Sequence, residues 1–191
     1  MATRNRNGSH RKKTRRRARG RRTPTPRTPK RGLVDRLPGV DALRMLKDDH
    51  RRVRELFDRY EPTRGSAAKQ RLAERICEEL KLHAKLEEQL FYPAAREEIE
   101  NPALVNEADV EHATAKQLIA WIEGSSPEHE HFDAAVKVLG EYIQHHVREE
   151  EGELFRQVRR SKLDTHAIGE QMERRKRTLI ARMRAQQRRT A

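Results

Sequence analysis

Six side chains in this sequence have the types and spacing to do chemistry: His50, His83, Glu87, His112, His146 and Glu150. His83 is followed four residues on by Glu87, and His146 by Glu150. In a helix that spacing stacks each pair on one face, one turn apart, where a single cation can reach both. Imidazole mixed with carboxylate, with no thiolate in phase, suits iron or manganese better than a structural zinc. The spacing alone says little. His129, His145 and His166 also have an acid at the fourth following position, and such pairs are ordinary on a charged, solvated surface.

The apolar pattern around the six separates them from those surface pairs. Leu43, Leu46, Val53, Phe57 and Tyr60 recur at helical spacing over about 41–61, and His50 fills the missing place in that stripe. Asp41 suits an N-cap there, and Pro62 stops the helix. A second helix over about 66–98 carries Leu72, Ile76, Leu80 and Leu90, with His83 and Glu87 in the gap. Pro93 predicts a kink or an early end within it. The third, about 102–123, starts favourably at Pro102 and places His112 amid Val105, Ala108, Ala115, Ile119 and Ile122. Gly124-Ser125-Ser126-Pro127 is a break. The fourth, about 128–160, presents Phe132, Ala135, Leu139, Tyr142, Leu154 and Val158, with His146 and Glu150 between them. His146, not His145, is in phase with Leu139 and Tyr142. A fifth helix over about 164–184 carries a thinner stripe of Ile168, Met172, Leu179 and Met183.

Short connections make these four helices an all-α, up-down-up-down four-helix bundle, with an additional C-terminal helix and a disordered basic N-terminal tail. The expected boundaries are 1–35 for the tail, 36–162 for the bundle and 163–191 for the basic C-terminal helix. Each stripe is interrupted near its middle, so antiparallel neighbours bring the interruptions to one depth. Two buried, uncompensated carboxylates would be costly, and a pair of cations removes that cost. The expected group is two non-haem iron ions, with manganese as the alternative, joined by two carboxylates and a bridging oxide or hydroxide. Coordination positions left open would take dioxygen, nitric oxide or peroxide. Tyr142, one turn before His146, is either an extra oxygen ligand or a core phenol hydrogen-bonded to a ligand. No group away from the metal stands out as an acid or base, so turnover stays open.

Charge divides the chain. Residues 1–32 hold 14 Lys/Arg and no acid, and 33–170 hold 21 basic against 29 acidic residues, a net of −8. The overall +13 therefore belongs to the ends. Arg11, Lys12, Lys13, Arg15, Arg16, Arg17, Arg19, Arg21 and Arg22 could bind DNA or RNA by counterion release, without reading sequence. Thr23-Pro24-Thr25-Pro26 cannot continue a helix, and no aromatic in 1–32 could stack on bases. Cys77 lies beside Ile76 in the helical pattern and reads as a packed, inert thiol. No apolar run approaches the roughly 20 residues of a membrane span, and no hydrophobic segment follows the N-terminal cations. A soluble, cytoplasmic protein is expected.

Four stretches carry a family resemblance: Leu46-Lys47-Asp48-Asp49-His50, Leu82-His83-Ala84-Lys85-Leu86-Glu87-Glu88-Gln89-Leu90-Phe91-Tyr92-Pro93, Val110-Glu111-His112 and His145-His146-Val147-Arg148-Glu149-Glu150-Glu151. Over about 40–160 the chain resembles hemerythrin-like proteins of the HHE cation-binding family. The resemblance implies a non-haem di-iron centre that binds dioxygen or nitric oxide, handles iron, consumes peroxide under oxidative stress, or senses iron or redox state. It departs from the oxygen carriers of that family where Lys116 stands four residues after His112, in place of a second histidine. Fewer nitrogen ligands on one iron argue against reversible oxygen transport. The alternative to a metal protein is a nucleic-acid-associated protein whose tail does the work and whose bundle is scaffold.

Overall fold

The computed structural model describes residues 39–190. The tail expected over 1–35, with its candidate nucleic-acid-binding arginines and lysines, lies outside the described residues. Helix α1 spans Ala42–Tyr60. Asp41 caps it as the sequence predicts: Oδ1 accepts from the Arg44 amide at 2.9 Å, and Oδ2 accepts from the Thr165 hydroxyl at 2.5 Å. Helix α2, Ser66–Leu86, is entered through Gly65, whose φ of 84° lies in the left-handed region that favours glycine.

Two of the bundle's arms are not continuous α-helix. After α2 the chain makes a π-helical turn, Glu87–Phe91, and then α3, Tyr92–Glu98. Helix α4 covers Ala103–Glu123. Helix α5, Phe132–Glu149, passes into a second π-helical turn, Glu150–Leu154, and then α6, Phe155–Arg160. The sequence predicts a kink or an end at Pro93; the helical path instead runs on through it. The Tyr92 amide donates five residues back to the Glu87 carbonyl, and Pro93 falls in the first turn of α3, where a missing N–H costs least. Helix α5 starts at Phe132 and not near 128 because residues 127–131 form a turn, closed by His129 N to Ser126 O and Phe132 N to His129 O.

Each π turn inserts a residue and so rotates the face that follows it. Beyond Glu87 the buried side chains are Phe91, Tyr92 and Ala95, while Leu90, predicted to continue the stripe, is half-buried. The arms α1, α2–α3, α4 and α5–α6 form the bundle, with α1 against α2, α4 against α5, and α2 against α4. Helix α7, Thr165–Thr190, packs on α1 and α2, burying Met172 completely. It approaches so closely that a Cβ on Gly169 would lie 1.8 Å from the Val40 carbonyl oxygen.

Two apolar clusters fill the interior. One gathers Leu46, Leu86, Phe91, Leu154, Phe155 and Met172; the other gathers Val53, Ile76, Leu80, Ile119, Phe132 and Leu139. In sequence, His50 falls between Leu46 and Val53, and His112 between Ala108 and Ala115, so a polar layer separates the clusters. Cys77 is buried in the second cluster, and burial pushes its thiol up to about 12. No helix among the described residues is long and apolar enough to cross a membrane.

Candidate metal centre

All six side chains singled out by the sequence are at most 6% exposed, and they converge from four helices. His50 comes from α1, His83 from α2, His112 from α4 and His146 from α5; Glu87 and Glu150 each begin a π turn. Their donor atoms form two overlapping groups, each within 4.8 Å: His50, His83, Glu87 and Glu150 in one, and Glu87, His112 and His146 in the other. Glu87 belongs to both. Its Oε2 is 3.0 Å from His83 Nε2 and 3.3 Å from His112 Nε2. His50 Nε2 lies 3.1 Å from His83 Nε2 and 3.3 Å from Glu150 Oε2.

A second ring of carboxylates surrounds the first. His50 Nδ1 donates to Glu151 Oε1 at 2.9 Å, His112 Nδ1 to Glu88 Oε1 at 3.0 Å, and His146 Nδ1 to Glu111 Oε2 at 2.6 Å. A carboxylate can only accept, so these contacts place the proton on Nδ1 and leave the Nε2 lone pair facing inward. His83 is the exception, with Nδ1 at 3.9 Å from Asp49 Oδ2, a charge contact and not a hydrogen bond. The ring is cyclic. Asp49 of α1 faces α2's His83, Glu88 after α2 faces α4's His112, Glu111 of α4 faces α5's His146, and Glu151 after α5 faces α1's His50. Each of these acids is the immediate sequence neighbour of one of the six donors. That adjacency is the signal by which the sequence could have revealed them.

The protein atoms do not satisfy this layer by themselves. Both oxygens of Glu87, both of Glu150, and His146 Nε2 are buried with no hydrogen-bond partner among the described residues; the approaches of His83 and His112 to Glu87 lack hydrogen-bond geometry. Orphaned buried carboxylates are costly unless positive charge meets them. The electrostatics make the same demand. Burial opposes charge on His83, but Glu87, Asp49 and Glu150 outweigh it and raise the ring to about 10. Glu87 is held well below the usual carboxylate range against its burial, through His83 and His112. Oxygen and nitrogen donors that lack partners and attract positive charge fit a pair of cations.

Tyr142 packs, half-buried, against the second apolar cluster, and among the described residues it makes no hydrogen bond to any of the six donors. The phenol that reaches the donors is Tyr92, fully buried at the end of the first π turn, with its hydroxyl 3.3 Å from His112 Nε2. Burial and the charges of Glu150 and Glu87 push its pKa well above the ordinary value, so it stays a phenol that can donate. A stripe extrapolated at α-helical period misses Tyr92 because the π turn is what brings it inward.

The hemerythrin HHE cation binding domain model matches residues 41–158 of this chain. A DNA nickase from Nostoc sp. (strain PCC 7120 / SAG 25.82 / UTEX 2576) is 30% identical over 124 residues, covering 62% of this chain and 33% of that protein. The chain thus spans about a third of that relative's length. The crystal structure of a hemerythrin HHE cation binding domain-containing protein from Mycobacterium kansasii superposes with a TM-score of 0.61 at 19% identity, over 73% of this chain and 86% of that one. At that identity the likeness is one of fold.

Proposed function

The chain belongs to the hemerythrin HHE cation-binding family, and we propose that its bundle holds two non-haem iron ions that bind or process a small oxidant. The observation that carries this reading is the pair of donor groups sharing Glu87, with five inward-facing donor atoms left without partners. His50, His83, Glu87 and Glu150 would hold one ion; Glu87, His112 and His146 would hold the other. Manganese fits the same donors. When bound, the ions supply Lewis acidity and one-electron redox capacity.

The protein's own residues do the rest. The outer carboxylates Glu151, Glu88 and Glu111 fix the tautomers of His50, His112 and His146, so that the orientation of these three does not depend on solvent. A narrow cavity of about 30 Å³ adjoins all four imidazoles and is walled by Val53, Leu80, Ala115, Ile119, Ile143 and Val147. One water needs about 10–15 Å³, so a space of this size suits a molecule of two heavy atoms such as dioxygen, nitric oxide or peroxide. Lys81 and Lys116 stand at its outer end, and the Tyr92 hydroxyl stands ready to donate near His112. The test is iron per chain together with the visible spectrum after reconstitution. Two irons with a bridged ferric spectrum, lost in His83→Ala, support the reading. A chain that retains no iron after dialysis and gains no stability from it overturns the reading.

A second reading, nucleic-acid association through the tail, is favoured by the 14 cations of residues 1–32 and by the likeness to the Nostoc DNA nickase. Deleting 1–32 should then abolish a salt-sensitive retention on DNA while leaving iron content unchanged.

A further inference from the structure

Outside the six-donor layer, a second group of potential ligands lies on the outer face of α4 and α5. His145 Nε2 is 3.3 Å from Glu149 Oε1 and 3.9 Å from Glu111 Oε1, and the three donors lie within 4.8 Å of one another. His145 and Glu149 are about half-exposed, with side-chain exposures of 52% and 46%, whereas Glu111 is at 12%. Glu111 faces two ways. Its Oε2 accepts from the buried His146 at 2.6 Å, and its Oε1 is the atom turned toward His145.

The space between this surface group and the buried layer is not closed. A narrow cavity of about 20 Å³ runs between α4, α5 and the second π turn, and Glu107, Glu111, Glu149, Glu150 and His146 line it. Glu150 is 3% exposed, and both its oxygens lack a partner on that wall. No lysine or arginine lines the passage. Four carboxylates along one narrow slot, Glu107 and Glu149 at its exposed end and Glu150 at its buried end, draw cations and exclude anions.

We propose that His145, Glu111 and Glu149 form a surface site for a divalent first-row cation, the station from which ions load the buried centre. The site rests on the reading of the buried layer as a metal centre. A dication cannot shed its water shell in one step without a large barrier, and oxygen and nitrogen donors placed along the way replace that shell in stages. Glu111 is the hinge of the arrangement. It can bind an ion at the surface with one oxygen while the other stays on His146, and Glu150 is the next unpartnered acceptor inward.

The experiment uses the full chain and the double variant His145→Ala/Glu149→Gln, which leaves all six buried donors and Glu111 in place. Iron content at equilibrium is measured first, and it tests the buried centre alone. Co²⁺ is then titrated into iron-saturated protein, and Fe²⁺ uptake by metal-free protein is followed by stopped flow. The expected results are one additional Co²⁺ per wild-type chain, absent from the double variant. Iron uptake should be about tenfold slower in that variant, with the same final iron content. Absence of the extra Co²⁺ in wild type overturns the site, and equal uptake rates overturn its loading role. A wild-type chain that never holds iron overturns the buried centre, and this proposal with it.

Discussion

On the α1–α2 side of the polar layer, His83 faces Asp49, and Asp49 is held by Lys176 of α7 at 2.6 Å and by Arg52. On the α4–α5 side, His146 is backed by Glu111, whose second oxygen turns toward the half-exposed His145 and a carboxylate-lined slot. Asp49 is neutralised and covered by α7, whereas no lysine or arginine lines the slot beside Glu111. An outer acid therefore meets an inner imidazole in two ways, Asp49 by charge at 3.9 Å and Glu111 by a hydrogen bond at 2.6 Å. The clamped version favours holding an ion in a fixed geometry, and the open version favours exchanging one.

The sharpest way to break that comparison is to remove each inner carboxylate in turn. Glu87 serves both donor groups, so Glu87→Ala should lower iron from two per chain to none after dialysis. Glu150→Ala touches only the first group and should leave one ion, held by His112, His146 and Glu87. Equal losses in the two variants, read by elemental analysis, would remove the distinction between the sides.

A smaller effect tests the cover on the clamped side. A Cβ on Gly169 would meet the Val40 carbonyl oxygen at 1.8 Å and the Ala42 amide nitrogen at 2.8 Å, both backbone atoms that cannot rotate aside. Gly169→Ala should cost about 1–3 kcal/mol in urea unfolding, the range for overpacking a tight contact, and should expose α7 to proteolysis. The second ion position, whose His112 and His146 stand on α4 and α5, should keep more of its affinity than the first.

These two variants also mark what the sequence could and could not tell. The periodicity of Leu43, Leu46, Val53 and Tyr60, with His50 in the gap, was enough to place α1 and its donor. The same logic found His112 on α4, because both helices are regular. It failed after Glu87, where a π turn changes the residues per turn and moves Phe91 and Tyr92 onto the inner face; after Glu150 it kept Leu154 and Val158 and missed only Phe155. Asp49, Glu88, Glu111 and Glu151 escaped notice for another reason. Each acts on a histidine of a different arm, and pairing across helices has no period in one dimension. Gly169 is legible only from a three-dimensional approach, since a glycine in a helical stretch looks like a weak position until its neighbour is known.

The outer acids give the next effect down. Asp49→Asn keeps the shape but removes the charge facing His83, and second-ring losses of this kind typically cost about 10–100-fold in metal affinity. Asp49→Asn should weaken the first ion selectively, and Lys176→Met should do the same to a lesser degree by releasing the Asp49 carboxylate from its cation. Competition with a chromogenic chelator would resolve the two positions. A variant that weakened both ions equally would mean that Asp49 supports the whole bundle and not one side of it.

The last and smallest effect is a pH dependence that separates the metal-free chain from the loaded one. In the metal-free chain burial disfavours a charged His83, but Glu87 and Asp49 overcome it and raise the ring to about 10. A group whose folded pKa is raised contributes its full stabilisation below its unfolded value, near 6.5, and loses it as pH climbs through the folded value. The metal-free chain should therefore lose stability between about pH 6.5 and 10. In the loaded chain the cation replaces that proton, so the decline over the same window should vanish. His50 and His112 are raised in the same direction by Glu150 and Glu87 against their burial, and they reinforce the trend. Glu151, pushed down to about 2 chiefly by His50, works in the opposite window: its contribution is present above about pH 4.3 and fades as acid protonates it. Thermal unfolding of metal-free and iron-loaded protein from pH 6 to 10 reads the difference directly. Parallel curves would mean that the imidazoles meet the same protons with and without metal, and that the ions are not bound among them.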